Sequence, residues 1–427
     1  MVAAAIASLD PGSGRSGATW AAAGIAAKKR AATVRKFIKT SRALRDAFRA
    51  AAMIPSRCIP TLDPTRLADL GWNESWAAHL AATGAEGRPG RVLVAHRGAC
   101  VVGTAEDELP AEPSGNLRRE AQSGGLLPAV GDWVVLALGD GAVRGAEALP
   151  KSGPATIERI LPRRSAISRK VKGKAAQVQV IAANVDTVFL VSGLDADFNL
   201  RRIERALVAV WDTGARPVVV LNKSDLCGDV EDKVKTVEAL AAGVAVHAVS
   251  AREGFGLEAL DPYRRHGSTI ALLGSSGVGK STLVNRLLGW DRQDTGVVRE
   301  HDSRGRHTTT KRELIVLPDG GVLVDTPGLR ELQLWEGEGG LDAVFADVTA
   351  DAGACRFRDC SHHEEPECAV RAAWAAGGVT PERVESYRKL QSELEHVASL
   401  RDERARLERS RQEKVIHRAA RKHQPRE

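Results

Sequence analysis

The stretch Gly274-Ser275-Ser276-Gly277-Val278-Gly279-Lys280-Ser281 decides the fold of this chain. It follows an apolar run at 269–273 and precedes an amphipathic segment at 282–288, which predicts the order strand, glycine-rich loop, helix. In such a loop the backbone N–H groups converge on a β-phosphate and Lys280 reaches the β- and γ-phosphates, while the Ser281 hydroxyl can ligate Mg²⁺. The alternative is a glycine-rich loop that binds nothing, but the full pattern in this context favours a nucleotide phosphate site.

Strands and helices alternate around this loop, over about 178–341. Apolar runs at 186–192, 217–221, 244–249 and 269–273 predict strands, and a helical apolar period at 199–213 lies between the first two. Runs at 314–317 and 322–324 flank the turn Pro318-Asp319-Gly320-Gly321 and predict a hairpin. The sequence therefore predicts a largely parallel sheet with helices on both faces.

A base-reading loop is predicted at Asn222-Lys223-Ser224-Asp225, directly after the strand at 217–221. The Asp225 carboxylate can accept both N1–H and N2–H₂ of guanine, and adenine presents no such donor pair. Asn222 and Lys223 would brace the loop and pack over the base, and the backbone of Ser250-Ala251 would contact the guanine O6. These residues predict GTP and GDP as ligands and disfavour an ATPase or a nucleotide kinase.

Two segments downstream complete the predicted nucleotide site. In Asp325-Thr326-Pro327-Gly328, Asp325 can hold Mg²⁺ through water and the Gly328 N–H can sense the γ-phosphate. In the polar segment 305–310 a threonine, for which we favour Thr309, would complete the Mg²⁺ shell when a γ-phosphate is present. The alternative is an ordinary threonine-rich loop. The predicted nucleotide-binding residues are Asn222, Lys223, Ser224, Asp225, Ser250, Ala251, Gly274, Ser275, Ser276, Gly277, Val278, Gly279, Lys280, Ser281, Thr282, Thr309, Asp325 and Gly328.

The order of these motifs is permuted, because the base-reading motifs precede the phosphate loop, whereas in ordinary GTPases they follow it. The chain strongly resembles the ribosome small-subunit-dependent GTPases of bacteria. The motifs that carry this resemblance are NKSD, VSA, GSSGVGKST, GRHTTT, DTPG and C-x4-C-x-H-x5-C, in that order, and it covers about Leu67 to Glu427. It implies an OB-like β-barrel, a circularly permuted P-loop α/β GTPase domain and a zinc-containing α-helical C-terminal domain. It also implies the small (30S) ribosomal subunit and its rRNA as partners, late subunit maturation as the process, and hydrolysis stimulated by the ribosome.

The catalytic residue is predicted to be His307. Leu329 follows the DTPG motif, where Ras-like enzymes carry a glutamine that orients the attacking water, and a leucine cannot do this. His307 lies in the segment expected to approach the γ-phosphate, and the family resemblance points to the same residue. The alternative is a purely structural histidine.

A metal site is predicted at Cys355, Cys360, His362 and Cys368. Three thiolates and one imidazole so close together suit one tetrahedral Zn²⁺ with a closed shell, which is a structural site. His363, Glu364 and Glu365 are alternative ligands by proximity, but the family pattern places the imidazole at His362. A disulfide is the other alternative.

A small β-barrel is predicted at about 85–172. Strands are expected at 91–95, 99–103, 132–138, 141–146 and 155–160. Basic residues of this region either line an RNA-facing surface or form an ordinary solvated face: Arg118, Arg119, Arg163, Arg164, Arg169, Lys170, Lys172 and Lys174.

The two ends of the chain are polar and basic. Residues 1–60 predict a disordered basic extension, which can be an RNA-binding arm, a transit peptide or an over-extended reading frame, since Met53 is the only methionine besides Met1. Region 342–427 would hold the metal cluster, a polar helix at 381–417 and a basic tail.

Composition sets the remaining expectations. The net charge of +7 makes a polyanionic partner worth considering, and no apolar run approaches the roughly 20 residues that span a bilayer. The clustering of three of the six cysteines favours a metal site in a reducing compartment over a disulfide framework. We therefore expect a soluble cytoplasmic monomer with no membrane partner. The rival hypothesis is an RNA-binding scaffold that uses GTP only as a conformational lock.

Overall fold

The structure, a computed structural model, describes residues 67–96, 98–122, 125–137, 154–170, 178–290, 313–325, 338–358, 360, 362 and 364–399. The predicted extension at 1–60, the predicted strand at 141–146 and the predicted helix beyond 399 lie outside the described residues. Within them, no helix combines the length and the apolar character needed to cross a bilayer.

A five-stranded barrel forms the N-terminal part of the described chain. Its elements are α1 (Glu74–Ala82), β1 (Arg88–His96), β2 (Ala99–Gly103), β3 (Glu108–Pro113), α2 (Gly115–Gln122), β4 (Trp133–Leu136) and β5 (Ala155–Ile160). The strands pair in the order β1-β2-β3-β5-β4, and a further pairing of β4 with β1 closes the sheet. The pairing of β3 with β5 is parallel and the others are antiparallel. The barrel is OB-like, as the sequence predicted.

Strand β3 and helix α2 were not predicted. Pro110 and Pro113 interrupt β3, and a proline within an apolar run argues against a strand because it lacks the N–H donor. Pairing on both sides overrides that local preference, since Val101 opposes Pro110 and Ile157 opposes Pro113.

An α/β layer follows the barrel. Its elements are β6 (Ala166–Lys170), β7 (Val178–Ala183), β8 (Thr187–Gly193), α3 (Leu200–Trp211), β9 (Arg216–Asn222), α4 (Val230–Leu240), β10 (Val246–Ala248), β11 (Thr269–Leu273), α5 (Lys280–Leu288), β12 (Glu313–Val316) and β13 (Val322–Asp325). Strands β6 and β7 form a separate two-stranded antiparallel sheet. The other strands of the layer follow the order β10-β9-β8-β11-β13-β12, and among them only the pairing of β12 with β13 is antiparallel. Buried residues of α3 and α5 pack on opposite faces, so the prediction of a largely parallel, doubly covered sheet is confirmed.

The barrel and the α/β layer share one sheet, because Val94 of β1 pairs with Glu313 of β12. Arg91 reinforces this junction from β1. It is 2 % exposed, and its guanidinium donates to the carbonyls of Leu70, Gly131 and Asn184 and to Oγ1 of Thr269, at the start of β11, over 2.8 Å. Burial lowers the pKa of Arg91 to about 10, so the side chain stays charged at neutral pH.

The C-terminal part of the described chain is helical. It contains α6 (Glu338–Val344), α7 (Ala346–Thr349), α8 (Ala369–Ala375) and a longer helix, α9, at 381–399. Residues of α6, α7 and α9 belong to the same buried cluster as α3, so this region packs against one face of the α/β layer.

Candidate functional site

The carboxyl ends of β8, β9, β11 and β13 define the candidate nucleotide site. These strands are parallel neighbours, and Leu190 of β8 and Val324 of β13 pair with Leu273 and Ala271 of β11. Loops after parallel strands lie at one edge of a sheet, which is where open α/β sheets bind ligands. The predicted segments at 222–225, 274–282 and Asp325 therefore meet at this edge although they are far apart in sequence.

The phosphate loop has the conformation that its glycines permit. Gly279 has φ of 93°, and a Cβ there would lie 2.2 Å from Nδ2 of Asn222. A Cβ on Gly274 would lie 2.2 Å from the carbonyl oxygen of Val191. Helix α5 begins at Lys280, whose Nζ donates to the carbonyl of Gly274 over 2.6 Å and to that of Ser275. The ammonium group is thus held inside the curve of the loop, at the N-terminal end of a helix, where anions are stabilised.

Asn222 joins the phosphate loop to the base-reading loops. It is 2 % exposed, its Nδ2 donates to the carbonyl of Val278 over 2.8 Å, and its Oδ1 accepts from the Ala251 N–H over 3.0 Å. The bracing role predicted for Asn222 has a clear geometric basis, since one amide satisfies a donor and an acceptor on two separate loops.

Asp225 and Ser250 are in direct contact. Asp225 lies in a short 3-10 turn, Ser224–Leu226, and its Oδ1 accepts from the Ser250 Oγ over 2.6 Å. The sequence predicted only a backbone contribution from Ser250. In the structure its side chain also donates to the carboxylate and so restrains the rotamer of Asp225.

Lys223 is held by a residue that the motifs do not include. It has φ of 67°, and its Nζ lies 2.5 Å from Oδ2 of Asp195, in the loop after β8. Partial burial acts to raise the pKa of Asp195, but hydrogen bonds from Lys223 and from the Asp197 N–H outweigh it, so this pKa lies below its ordinary value. Asp195 therefore stays ionised and fixes the side chain of Lys223 within the predicted base-reading loop.

Arg202, in the first turn of α3, also reaches the site without belonging to a motif. Its guanidinium donates to Ser275 Oγ over 2.9 Å and to Asp197 Oδ1 over 2.6 Å. The sequence contained one indication of Asp195 and Arg202. Both follow β8, and the chain after one parallel strand lies at the same edge of the sheet as the loop after its neighbour β11.

Three predicted residues, His307, Thr309 and Gly328, lie outside the described residues. Asp325 is described at the end of β13, half-buried and opposite Glu313 of β12. Val324 pairs with Ala271 of β11, so Asp325 lies level with Leu272, two residues before the phosphate loop begins.

The predicted metal ligands converge. The ligand atoms of Cys355, Cys360, His362 and Cys368 all lie within 4.8 Å of one another. Nδ1 of His362 is 3.7 Å from Sγ of Cys355 and 3.5 Å from Sγ of Cys368. These separations suit a tetrahedral ion, because Zn–S bonds of about 2.3 Å put neighbouring ligands about 3.8 Å apart. The four residues can hold a metal ion.

The surroundings of the cluster shift the pKa values of two of its thiols in opposite directions. Backbone N–H groups of Val370 and then Ala369 lower the pKa of Cys355, which favours the thiolate that metals require. Desolvation raises the pKa of Cys360 to about 11, so this ligand gains its thiolate form only with a cation beside it. His362 is buried, and it has φ of 59°, a left-handed conformation that turns the chain back toward the cysteines. Of the alternative ligands, Glu364 and Glu365 are not in the group, and His363 lies outside the described residues.

The basic residues of the barrel do not all face solvent. Arg163 is wrong as a candidate RNA contact, because its side chain is 8 % exposed and pairs with the fully buried Asp132 over 2.7 Å. Arg164 stacks over Trp76, with the guanidinium carbon 4.1 Å from the ring centroid. Arg118 is half-exposed but pairs with Glu112 over 2.6 Å. The side chains of Arg169 and Lys170, and all of Lys172 and Lys174, lie outside what the structure describes.

The fold and this site define a class: a circularly permuted P-loop GTPase, in which the base-reading loops precede the phosphate loop. Comparison with known proteins identifies the family. The model of the family described as RsgA GTPase matches residues 160–335. Over 352 residues the chain is 47 % identical to the small ribosomal subunit biogenesis GTPase RsgA of Opitutus terrae, covering 82 % of this chain and 95 % of that one. The chain belongs to the RsgA GTPase family and is a GTP-hydrolysing enzyme.

Further relatives agree with this assignment. The protein of the same name from Streptomyces coelicolor is 42 % identical over 351 residues, which covers 80 % of this chain and 90 % of that one. The crystal structure of YjeQ from Thermotoga maritima matches this fold with a TM-score of 0.53 at 28 % identity, and the match covers 72 % of this chain and 98 % of that one. YloQ, described as a circularly permuted GTPase, has a TM-score of 0.52 at 25 % identity, covering 73 % and 96 %. The predicted family, fold class and enzyme class are confirmed.

Proposed function

We propose that this GTPase acts in late maturation of the small (30S) ribosomal subunit, that it binds the subunit's rRNA, and that the subunit stimulates its hydrolysis of GTP. One observation carries the proposal. The Asn222 bridge and the Asp225–Ser250 pair hold the predicted base-reading loops against the phosphate loop, in a chain 47 % identical to a protein named for small-subunit biogenesis. We place the activity in the cytoplasm and the protein as a monomer.

The residues take the following roles in this proposal. Asp225 selects guanine, the N–H groups of 274–281 and Lys280 bind the phosphates, and Ser281, Thr309 and Asp325 hold Mg²⁺ directly or through water. The Gly328 N–H senses the γ-phosphate. His307 directs the attacking water as a general base or orienting group. Mg²⁺, when bound, neutralises charge on the phosphates.

The cluster of Cys355, Cys360, His362 and Cys368 holds one structural Zn²⁺. Its four protein ligands fill a tetrahedral shell, which leaves no position open for catalysis. The proposed organisation is an extension at 1–60, a barrel at 85–172, a GTPase domain at 178–341 and a zinc-binding helical domain with a basic tail at 342–427.

The deciding experiment is GTP turnover with and without purified 30S subunits, with 50S subunits as the control. We expect binding to 30S subunits and faster turnover with them only. His307→Ala should abolish the stimulated turnover while GTP affinity stays nearly unchanged. An unchanged single-turnover rate would remove His307 from the mechanism. GTP-dependent binding to the 30S subunit without faster GTP hydrolysis would favour the rival hypothesis, an RNA-binding scaffold that uses GTP only as a conformational lock. Absence of both binding and stimulation would overturn the ribosomal role.

A further inference from the structure

Helix α3 makes a contact with the phosphate loop that no motif explains. Arg202 donates to Ser275 Oγ over 2.9 Å, and the same guanidinium is held by Asp197 Oδ1 at 2.6 Å. The Ser275 carbonyl, in turn, accepts a hydrogen bond from Lys280. A short chain of contacts thus runs from α3 through the second residue of the phosphate loop to the lysine that reaches the phosphates.

An exposed arginine normally contributes little, because ordering a long side chain offsets a screened attraction. Here the helix that carries Arg202 is held by contacts at two places, its N-terminus and Glu204. Asn199 caps it, since the Arg202 N–H donates to Asn199 Oδ1 over 3.0 Å. Two residues after Arg202, Glu204 is 3 % exposed and pairs with Arg383 of α9 over 2.8 Å.

Arg383 anchors α3 to the C-terminal helices. Its guanidinium also pairs with Asp347 of α7 over 2.9 Å and donates to the Val344 carbonyl. The guanidinium carbon lies 4.2 Å from the centre of the Phe345 ring. Because a buried pair of this kind is costly to break, it holds α3 in one position relative to the C-terminal helices.

We propose that Arg202 is a positioning residue of the nucleotide site. It holds Ser275, and with it the first turn of the phosphate loop, in the shape that binds the β- and γ-phosphates. The helix α3 carries this constraint from the C-terminal helices to the loop. This inference rests on the proposed assignment of 274–281 as the phosphate loop.

The test compares the affinities for GDP and GTP and the basal kcat and KM, all without ribosomal subunits, across matched variants. Arg202→Gln should weaken binding of both nucleotides about 5-fold, as for loss of one solvent-exposed hydrogen bond, and should raise KM with kcat nearly unchanged. Ser275→Ala should do the same, and the double variant should be no worse than either single one. Arg202→Lys should restore part of the affinity.

Arg205→Gln is the control, because Arg205 lies one turn further along α3 and pairs with exposed Glu393 over 3.1 Å. It should leave affinity and turnover unchanged. A fall in Tm for Arg202→Gln with unchanged affinity, or additive losses in the double variant, would overturn the proposal. Lys280→Ala separates the two claims. If it binds nucleotide normally, the assignment of the phosphate loop is wrong; if it loses binding while Arg202→Gln binds like wild type, only the role of Arg202 fails.

Discussion

The nucleotide site and the metal cluster are built in opposite ways. The first draws on the segments 222–225, 250–251 and 274–282 and on Asp325, which only the strand order β9-β8-β11-β13 brings together. The second takes all its ligands from the short stretch between Cys355 and Cys368, most of it irregular chain. The sheet brings the segments of the proposed nucleotide site together, whereas the metal cluster has little regular structure of its own to keep its ligands in place.

This difference implies different sensitivities. Nucleotide binding should depend on individual side chains, and the sheet that carries them should stay folded when one of them is replaced. The C-terminal region should depend on the bound ion as a whole. Four perturbations test this contrast, from the largest expected effect to the smallest.

Removal of the metal should have the largest effect. Structural zinc contributes on the order of 10 kcal/mol to small folded units. A zinc-selective chelator, with Mg²⁺ kept in excess, should therefore abolish amide protection from 352 to 375 in hydrogen exchange. GTP affinity should change less than about 3-fold, because the scaffold of the nucleotide site persists. Cys355→Ser should reproduce the loss, and Cys227→Ser, outside the cluster, should not. Full protection after chelation would show that the region folds without an ion.

Lys280→Ala should weaken GTP binding about 100-fold, because it removes a positive charge and its hydrogen bonds from the phosphate site. Isothermal titration measures the affinity, and the zinc content should stay at the wild-type value. Lys233→Ala is the matched control, since Lys233 of α4 pairs with Asp229 just before that helix and otherwise contacts Cys227 and Phe198. A parallel loss of zinc would mean that the two sites are not independent.

Asp225→Asn should change the base preference. The amide can no longer accept two hydrogen bonds from guanine, so GTP affinity should fall about 30-fold, as for about 2 kcal/mol. Xanthosine triphosphate, which presents an acceptor where guanine has its amino group, should bind better than to wild type. Competition binding with both nucleotides measures the change. An unaltered preference for GTP would exclude Asp225 as the specificity residue.

Ser250→Ala should have the smallest effect, about 5-fold in GTP affinity, because it removes one hydrogen bond of about 1 kcal/mol to a carboxylate that stays in place. In the Asp225→Asn background the same change should cost less, since the two side chains act together through their 2.6 Å contact. Equal losses in both backgrounds would separate Ser250 from Asp225.

The sequence was sufficient for the parts of the molecule that carry motifs. Periodicity predicted β8, β9 and β11 to within a residue or two, and the four metal ligands are those that converge. The permuted motif order predicted the class of GTPase. Each of these patterns is contained in the sequence itself, so it can be recognised without knowledge of tertiary contacts.

What the sequence did not predict depends on contacts between distant segments. Arg202 and Asp195 carry no pattern, and their roles follow only once β8 is known to neighbour β11. Strand β3 is masked by its prolines, and the burial of Arg163 depends on Asp132, which faces it across the barrel end. The pairing of Val94 with Glu313 is invisible for the same reason, because nothing in either segment specifies its partner.

That pairing has a consequence for biosynthesis. All five barrel strands have been made once Ile160 emerges, whereas β12, which pairs with β1, begins only at Glu313. The barrel can therefore close early, since domains generally fold as units during synthesis. The edge of β1 at Val94 stays without its β12 partner until β12 has been translated. The nascent chain would therefore fold its barrel first and complete the sheet last. A partner that binds the barrel could then bind a chain that cannot yet hold a nucleotide.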